Sequence, residues 1–148
     1  MAPSLSAPHR LALVGVLALV LGAAGAPQES ADDAIERVEA GLEQADPDAV
    51  LDHAAGRIEV VLFGRGGTVR RTQASHVLRD FFRRYPPARV AVAERSSSDD
   101  GLVTVWRYWT ADDGQPLSVR AAHREGSGRW ELVSLRIERR SAIRGGRY

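Results

Sequence analysis

The chain has no cysteine, no lysine and no asparagine. Without cysteine there is no disulfide, no thiolate chemistry, no cysteine-ligated zinc and no lipid attachment at an N-terminal cysteine. Without lysine there is no Schiff base and no Walker-type phosphate lysine. Without asparagine there is no N-glycosylation. Every one of the 20 basic residues is therefore arginine, a bias that reads as a GC-rich genome and not as a functional signal. Nor is there an excess of charge. The 148 residues carry 20 basic and 19 acidic side chains, and loss of a leader containing Arg10 and no acid leaves 19 against 19. A balanced domain of this kind is a poor match to general nucleic-acid binding. The charge is nonetheless unevenly placed. Residues 29–52 are acidic and residues 57–89 basic, which fits mutual attraction within one fold better than an anionic partner.

What is present begins with a leader. Residues 1–26 read as a secretory signal: His9 and Arg10, the apolar run 11–21, then small residues to Ala26. The run is short for a transmembrane span. Ala24-Gly25-Ala26 fits a small-x-small cleavage site, but Pro27 behind it hinders cutting. Cleavage after Ala24 or Gly25 and retention as an N-terminal anchor both stay open, so export is expected and membrane contact only if the segment is kept. The remainder is long enough for one domain, 27–140, with a basic tail, 141–148.

The domain is organised around residues 72–87. Ala74, Val77, Leu78, Phe81, Phe82 and Tyr85 recur at three- and four-residue steps and share one face of a helix. Thr72 is the expected cap, and Pro86-Pro87 ends the helix. Two adjacent phenylalanines are too much apolar surface to leave wet, so the helix must lie on something. Before it, Ser30 with Asp33 suggests a capping box opening a helix whose stripe is Ile35, Val38 and Leu42. Asp46-Pro47 opens a short second helix. Residues 57–63 read as a strand, Gly64 to Gly67 as a turn and 68–71 as a short return strand. Strand candidates 89–96, 102–110, 117–125 and 129–138 follow, separated by Asp99-Asp100-Gly101, Asp112-Asp113-Gly114 and Gly126-Ser127-Gly128. Short turns between successive strands make an antiparallel meander.

This order of elements resembles the nuclear-transport-factor-2-like (cystatin-like) α+β cone. The runs at 33–44, 57–62, 73–87 and 132–138, above all Val77-Leu-Arg-Asp-Phe-Phe82 with Pro86-Pro87 and the closing Leu135-Arg-Ile-Glu138, resemble a bacterial exported family, domain of unknown function 4783. The resemblance covers nearly the whole mature chain. It implies N-terminal helices packed into the hollow of a curved sheet, with a pocket at the open end of the cone. It carries over no catalytic residue, and the wider fold hosts enzymes and plain binding modules alike.

Strand parity gives testable geometry. A two-residue Asp113-Gly114 turn pairs Thr110 with Leu117, Tyr108 with Val119, Trp106 with Ala121 and Thr104 with His123. A three-residue Gly126–Gly128 loop pairs His123 with Glu131, Ala121 with Val133, Val119 with Leu135 and Leu117 with Ile137. The inner face is then Leu102, Thr104, Trp106, Tyr108, Leu117, Val119, Ala121 and His123. A glutamate beside an inward histidine is general-base chemistry in outline, with Tyr108 as a further polar group, or it is a rim salt bridge. The expected pocket is Trp106, Tyr108, His123, Glu131 and Phe82.

Other candidates are weaker. His53 ends the second helix, where it suits the helix dipole. His76 falls on a polar face. No two histidines have metal-ligand spacing, and neither a metal nor a cofactor is expected. Ser75 and Ser134 have no histidine–acid partners. On the outer face Trp109 sits among arginines, either stacked under them or buried against a second copy in a homodimer. The expectation is a non-catalytic module for a small molecule or an exported protein partner. The alternative is a cofactor-free isomerase, dehydratase or hydrolase using His123 and Glu131.

Overall fold

The computed structural model describes residues 25, 27–112 and 114–140. The expected leader, Gly25 apart, and the tail 141–148 lie outside the described residues. Among those described, no helix is long and apolar enough to cross a membrane.

Helix α1 spans Ala31–Glu43 and opens with the anticipated capping box. The Ser30 hydroxyl accepts from the Asp33 N–H at 3.1 Å, and the Asp33 carboxylate accepts from the Ser30 N–H at 3.0 Å. These contacts use two of the donors a helix start leaves unpaired. Helix α2, Pro47–Val50, is capped by the Asp46 carboxylate. The two helices meet where α1 has no side chain: a Cβ on Gly41 would stand 2.7 Å from both the Val50 Cγ2 and the Val50 nitrogen.

Strand β1, Ala54–Leu62, turns through Phe63 and Gly64 into β2, Arg65–Arg70. Both turn residues have positive φ, 52° and 78°, as a two-residue hairpin turn requires. The turn is thus shorter and earlier than the glycine run suggested, and Gly66 and Gly67 belong to the strand. Gly66 is needed there, since a Cβ would lie 2.0 Å from the Val60 carbonyl oxygen.

Helix α3, Arg71–Arg84, is the organising helix. Its cap is a correction. The chain runs from β2 straight into the helix, Arg70 is the N-cap residue without a side-chain bond, and Thr72 already lies in the first turn. The Arg71 guanidinium instead donates to the Asp52 carbonyl at 2.9 Å. Phe81 and Phe82 are 2% and 5% exposed, each worth about 2–3 kcal/mol of transfer free energy.

Strands β3 (Pro87–Ser98), β4 (Gly101–Thr110), β5 (Leu117–Gly126) and β6 (Arg129–Arg139) form the antiparallel meander. The curved sheet has six strands in the order β2-β1-β6-β5-β4-β3. Its one parallel pair, β1 with β6, joins the first hairpin to the last strand. That geometry is open to them because α3 and four strands intervene, far more chain than a parallel connection needs.

All eight residues assigned to the inner face of β4 and β5 are buried, none more than 4% exposed. The pairings behind that assignment differ from expectation. Tyr108 pairs with Leu117, Trp106 with Val119, Thr104 with Ala121 and Leu102 with His123. The ladder stops at Leu117 because Pro116 has no N–H to extend it, so Thr110 and Leu117 do not pair; Asp113 of the expected turn lies outside the described residues. The slip is two residues, which keeps every side chain on its face. Between β5 and β6 the turn is Ser127-Gly128, with φ of 50° and 78°, and Gly126 pairs with Arg129. A bulge then shifts the register: His123 pairs with Leu132, whereas Ala121 pairs with Leu135 and Val119 with Ile137. Glu131 and Val133 therefore do not lie across from His123 and Ala121. Leu132 takes the interior position, where a carboxylate would be costly to desolvate.

Candidate functional site

The inner face has two ends with different chemistry. One end is formed by β5, β6 and the segment leading into α1. His123 is buried there, and its Nδ1 has no hydrogen-bond partner. Burial is the main reason its pKa falls to about 4. Glu29 draws it upward and Arg37 pushes it further down. Glu131 is not its partner; that carboxylate accepts from Arg124 at 3.1 Å, toward solvent. Thr104, one inward step away across the β4–β5 ladder, also has a buried hydroxyl without a partner.

The acid that does reach this end is Glu29, just before the α1 cap. Its N–H donates to the Gly128 carbonyl at 3.1 Å. Its carboxylate accepts from the Trp130 N–H at 2.8 Å and from the Arg37 guanidinium. Burial works against the charge, but the Trp130 N–H, Arg37 and His53 together hold its pKa below the ordinary carboxylate value. His53 is placed less by a helix dipole than by acids: Nδ1 lies 3.4 Å from Glu29 and Nε2 3.5 Å from Asp52. Glu29 gave no signal in the sequence, because its socket is assembled from α1, the α2–β1 junction and β6.

The middle of the cone is filled. The Trp106 indole N–H donates to Glu39 of α1 at 2.9 Å. Phe81 stacks edge-on to Phe82, with centroids 5.6 Å apart, and lies 5.5 Å from the Tyr108 ring. Tyr108 donates to the Tyr85 carbonyl at 2.5 Å, and burial raises its pKa well above the tyrosine range.

Beyond Tyr108 is the second end, the mouth. Arg84, Tyr85, Thr110, Asp112, Leu117 and Arg139 line a cleft of about 320 Å³. A neighbouring recess of about 310 Å³ is bounded by Phe63, Gly64, Glu138 and Arg139. The Arg139 guanidinium lies over the Phe63 ring, 5.2 Å from its centroid, and 3.5 Å from the Tyr85 hydroxyl. The Tyr85 and Phe63 rings are 5.4 Å apart. Sequence periodicity placed Tyr85 on the core face but had no way to bring Phe63 and Arg139 to it.

The remaining candidates lie apart from both ends. His76 is exposed, 3.2 Å from Arg79. Ser75 donates to Asp48 and Ser134 to Glu59, neither with a histidine. On the outer sheet face Arg89 covers Trp109, 4.6 Å from the ring centroid. Elsewhere on that face Glu59, Arg120, Ala122, Ser134, Arg136 and Glu138 surround a recess of about 430 Å³. Among the described residues, no three histidine or acidic side chains converge as metal ligands.

Comparison with known proteins adds the family. Residues 35–138 match the family described as Domain of unknown function (DUF4783). No curated protein matches the chain. A DUF4783 family protein from Bacteroides ovatus superposes with a TM-score of 0.66 at 13% identity, covering 78% of this chain and 99% of that one. One from Bacteroides fragilis gives 0.64 at 16%, covering 70% and 95%. An NTF2-like protein of unknown function from Shewanella baltica gives 0.58 at 12%, covering 75% and 91%. Identities this low carry the fold alone. The family match spans most of the chain, and the chain therefore belongs to the DUF4783 family, on a nuclear-transport-factor-2-like cone.

Proposed function

We propose that this protein is an exported binding module and not an enzyme, and that it takes a small molecule at the mouth beside Tyr85. One observation carries the reading: the groups needed for acid–base chemistry do not meet. His123 pairs with Leu132 in the ladder, and Glu131 with Arg124. Tyr108 lies six residues along β4 from Leu102, the residue opposite His123, about 20 Å at strand rise. Trp106, Phe81, Phe82 and Tyr108 fill the space between. The mouth has the make-up of a recognition site, with aromatic walls, an arginine held across a ring and a few convergent polar groups. Export rests on the leader pattern in residues 1–26, and N-terminal sequencing of protein recovered outside the cytoplasm tests it.

Native mass spectrometry of the purified protein tests the binding reading. A co-purifying small molecule lost on Tyr85→Ala or Arg84→Glu supports it. A ligand retained by both variants, or turnover of one that His123→Leu abolishes, overturns it.

A protein partner is the second reading, with a second copy on the outer sheet face as its occupant. Val103, Val105 and Trp109 are half-buried there, next to a recess carrying Arg120 and Arg136 together with Glu59 and Glu138. Charges of both signs on one patch can pair across a two-fold axis.

A further inference from the structure

The end of the cone opposite the mouth carries a separate site. Glu29 is the one acid whose side chain is 10% exposed or less among the ion pairs of the described residues. A buried carboxylate is costly unless donors meet it. Here they do: the Arg37 guanidinium from α1 and the Trp130 N–H from β6 both donate, and the His53 ring stands 3.4 Å from the same oxygen that Arg37 holds. Together they make a socket shaped for a carboxylate. Glu29 reaches it only because residues 28–30 cross the β5–β6 hairpin, held there by the bond from Glu29 N–H to the Gly128 carbonyl.

The socket has more hydrogen-bonding capacity than Glu29 uses. Among the described residues, three buried side-chain polar atoms lack a partner: His53 Nδ1, Thr104 Oγ1 and His123 Nδ1. All three belong to this end. His53 abuts Glu29, His123 feels both Glu29 and Arg37, and Thr104 neighbours His123 diagonally on the inner face. His53 Nδ1 already faces the Glu29 carboxylate at 3.4 Å, but Thr104 Oγ1 and His123 Nδ1 face no partner; buried polar groups are nearly always paired, so two unpaired ones at this end call for an explanation. Glutamate has only its two oxygens to offer. A carboxylate bearing a hydroxyl on the next carbon would fill the same socket and bring a further donor and acceptor toward this end. Asp52 flanks the site 3.5 Å from His53 Nε2 and 3.9 Å from Arg37. That favours a ligand with a single negative charge over a dicarboxylate.

We propose that the Arg37–Trp130–His53 socket is a recognition site for a small hydroxycarboxylate, that Glu29 occupies it as a stand-in, and that residues 28–30 are a strap that lifts to admit the ligand. The site is distinct from the mouth, and its test does not depend on what the mouth binds.

The experiment uses the full chain carrying Glu29→Ala, with glycolate and acetate as probes and chloride at equal ionic strength as control. Thermal unfolding of this variant should show a saturable rise with glycolate, a smaller one with acetate and none with chloride. The wild type should respond to each at least tenfold less sensitively. Adding Arg37→Ala should abolish the response. Equal responses of wild type and variant, or a chloride response as large as that to glycolate, overturn the proposal; acetate matching glycolate overturns its hydroxycarboxylate part. Should Glu29→Ala not fold, Glu29→Gln keeps the shape of the strap. In that variant glycolate should accelerate hydrogen exchange at the Gly128–Glu29 contact, and unchanged exchange overturns the proposal equally.

Discussion

The Tyr108 hydroxyl donates to the Tyr85 backbone carbonyl at 2.5 Å, and so ties the C-terminal part of β4 to the residue that caps the organising helix. The bond ends α3 in a fixed place. It also sets the floor of the mouth, since Tyr85 presents its ring and hydroxyl on the other side. Tyr108→Phe keeps the ring packing but leaves the Tyr85 carbonyl unpaired beneath a buried edge. The expected cost is about 1–2 kcal/mol, read as a lower urea midpoint at unchanged slope. An unchanged midpoint would show that the bond does not hold the helix end.

His123 makes stability pH-dependent in a defined window. Its folded pKa of about 4 lies below the ordinary 6.5. Above pH 6.5 the ring is neutral in both states and adds no pH dependence. As pH falls from 6.5 toward 4, the unfolded chain takes up a proton that the fold refuses, so stability drops by up to about 1.4 kcal/mol per pH unit. The loss levels off below pH 4. Glu29, whose pKa is lowered, adds a second loss with the same sign, beginning below its ordinary 4.5. His123→Leu should flatten the profile between pH 6.5 and 4 and leave the acid limb. A wild-type profile already flat in that window would contradict the burial of a neutral ring.

Gly41 is a packing requirement. An added Cβ would lie 2.7 Å from the Val50 Cγ2 and backbone nitrogen, and backbone cannot yield as a flexible side chain can. Gly41→Ala should therefore destabilise by about 1–3 kcal/mol despite alanine's better helix propensity. Gly56→Ala, where nothing lies within 4 Å, is the control and should change stability little. Equal effects at the two positions would show that α1 and α2 are not in the contact described.

The outer sheet face makes a prediction about assembly. If a second copy binds there, Val105→Asp should convert dimers to monomers in sedimentation velocity without lowering the melting temperature of the monomer. Wild-type protein that sediments as a monomer at high concentration removes the second copy as a partner. Trp109 under Arg89 then stands as a self-contained cation–π pair, worth about 0.5–1 kcal/mol.

The elements were legible because each is written in a short repeat. The three- and four-residue spacing of Ala74, Leu78, Phe81 and Phe82 specifies one helical face, and the two-residue alternation from Leu102 to Tyr108 specifies one sheet face. The capping box at Ser30 and Asp33 is equally local. The inner-face assignment of β4 and β5 survived an incorrect register because the error was two residues, a whole period. In β6 the bulge broke that protection, and Glu131 changed sides.

The sequence by itself therefore determined the order of helices and strands and which faces of α3, β4 and β5 are dry, though not every boundary, since these follow from interactions between residues a few positions apart. Only the tertiary structure decided that Phe63 and Arg139 meet Tyr85, that Glu29 lies in a socket built from Arg37, His53 and Trp130, and that His123 is left without an acid across the ladder. Those outcomes depend on where a turn closes and where one residue bulges. A shift of a single position costs little locally and yet exchanges every partner along the strand.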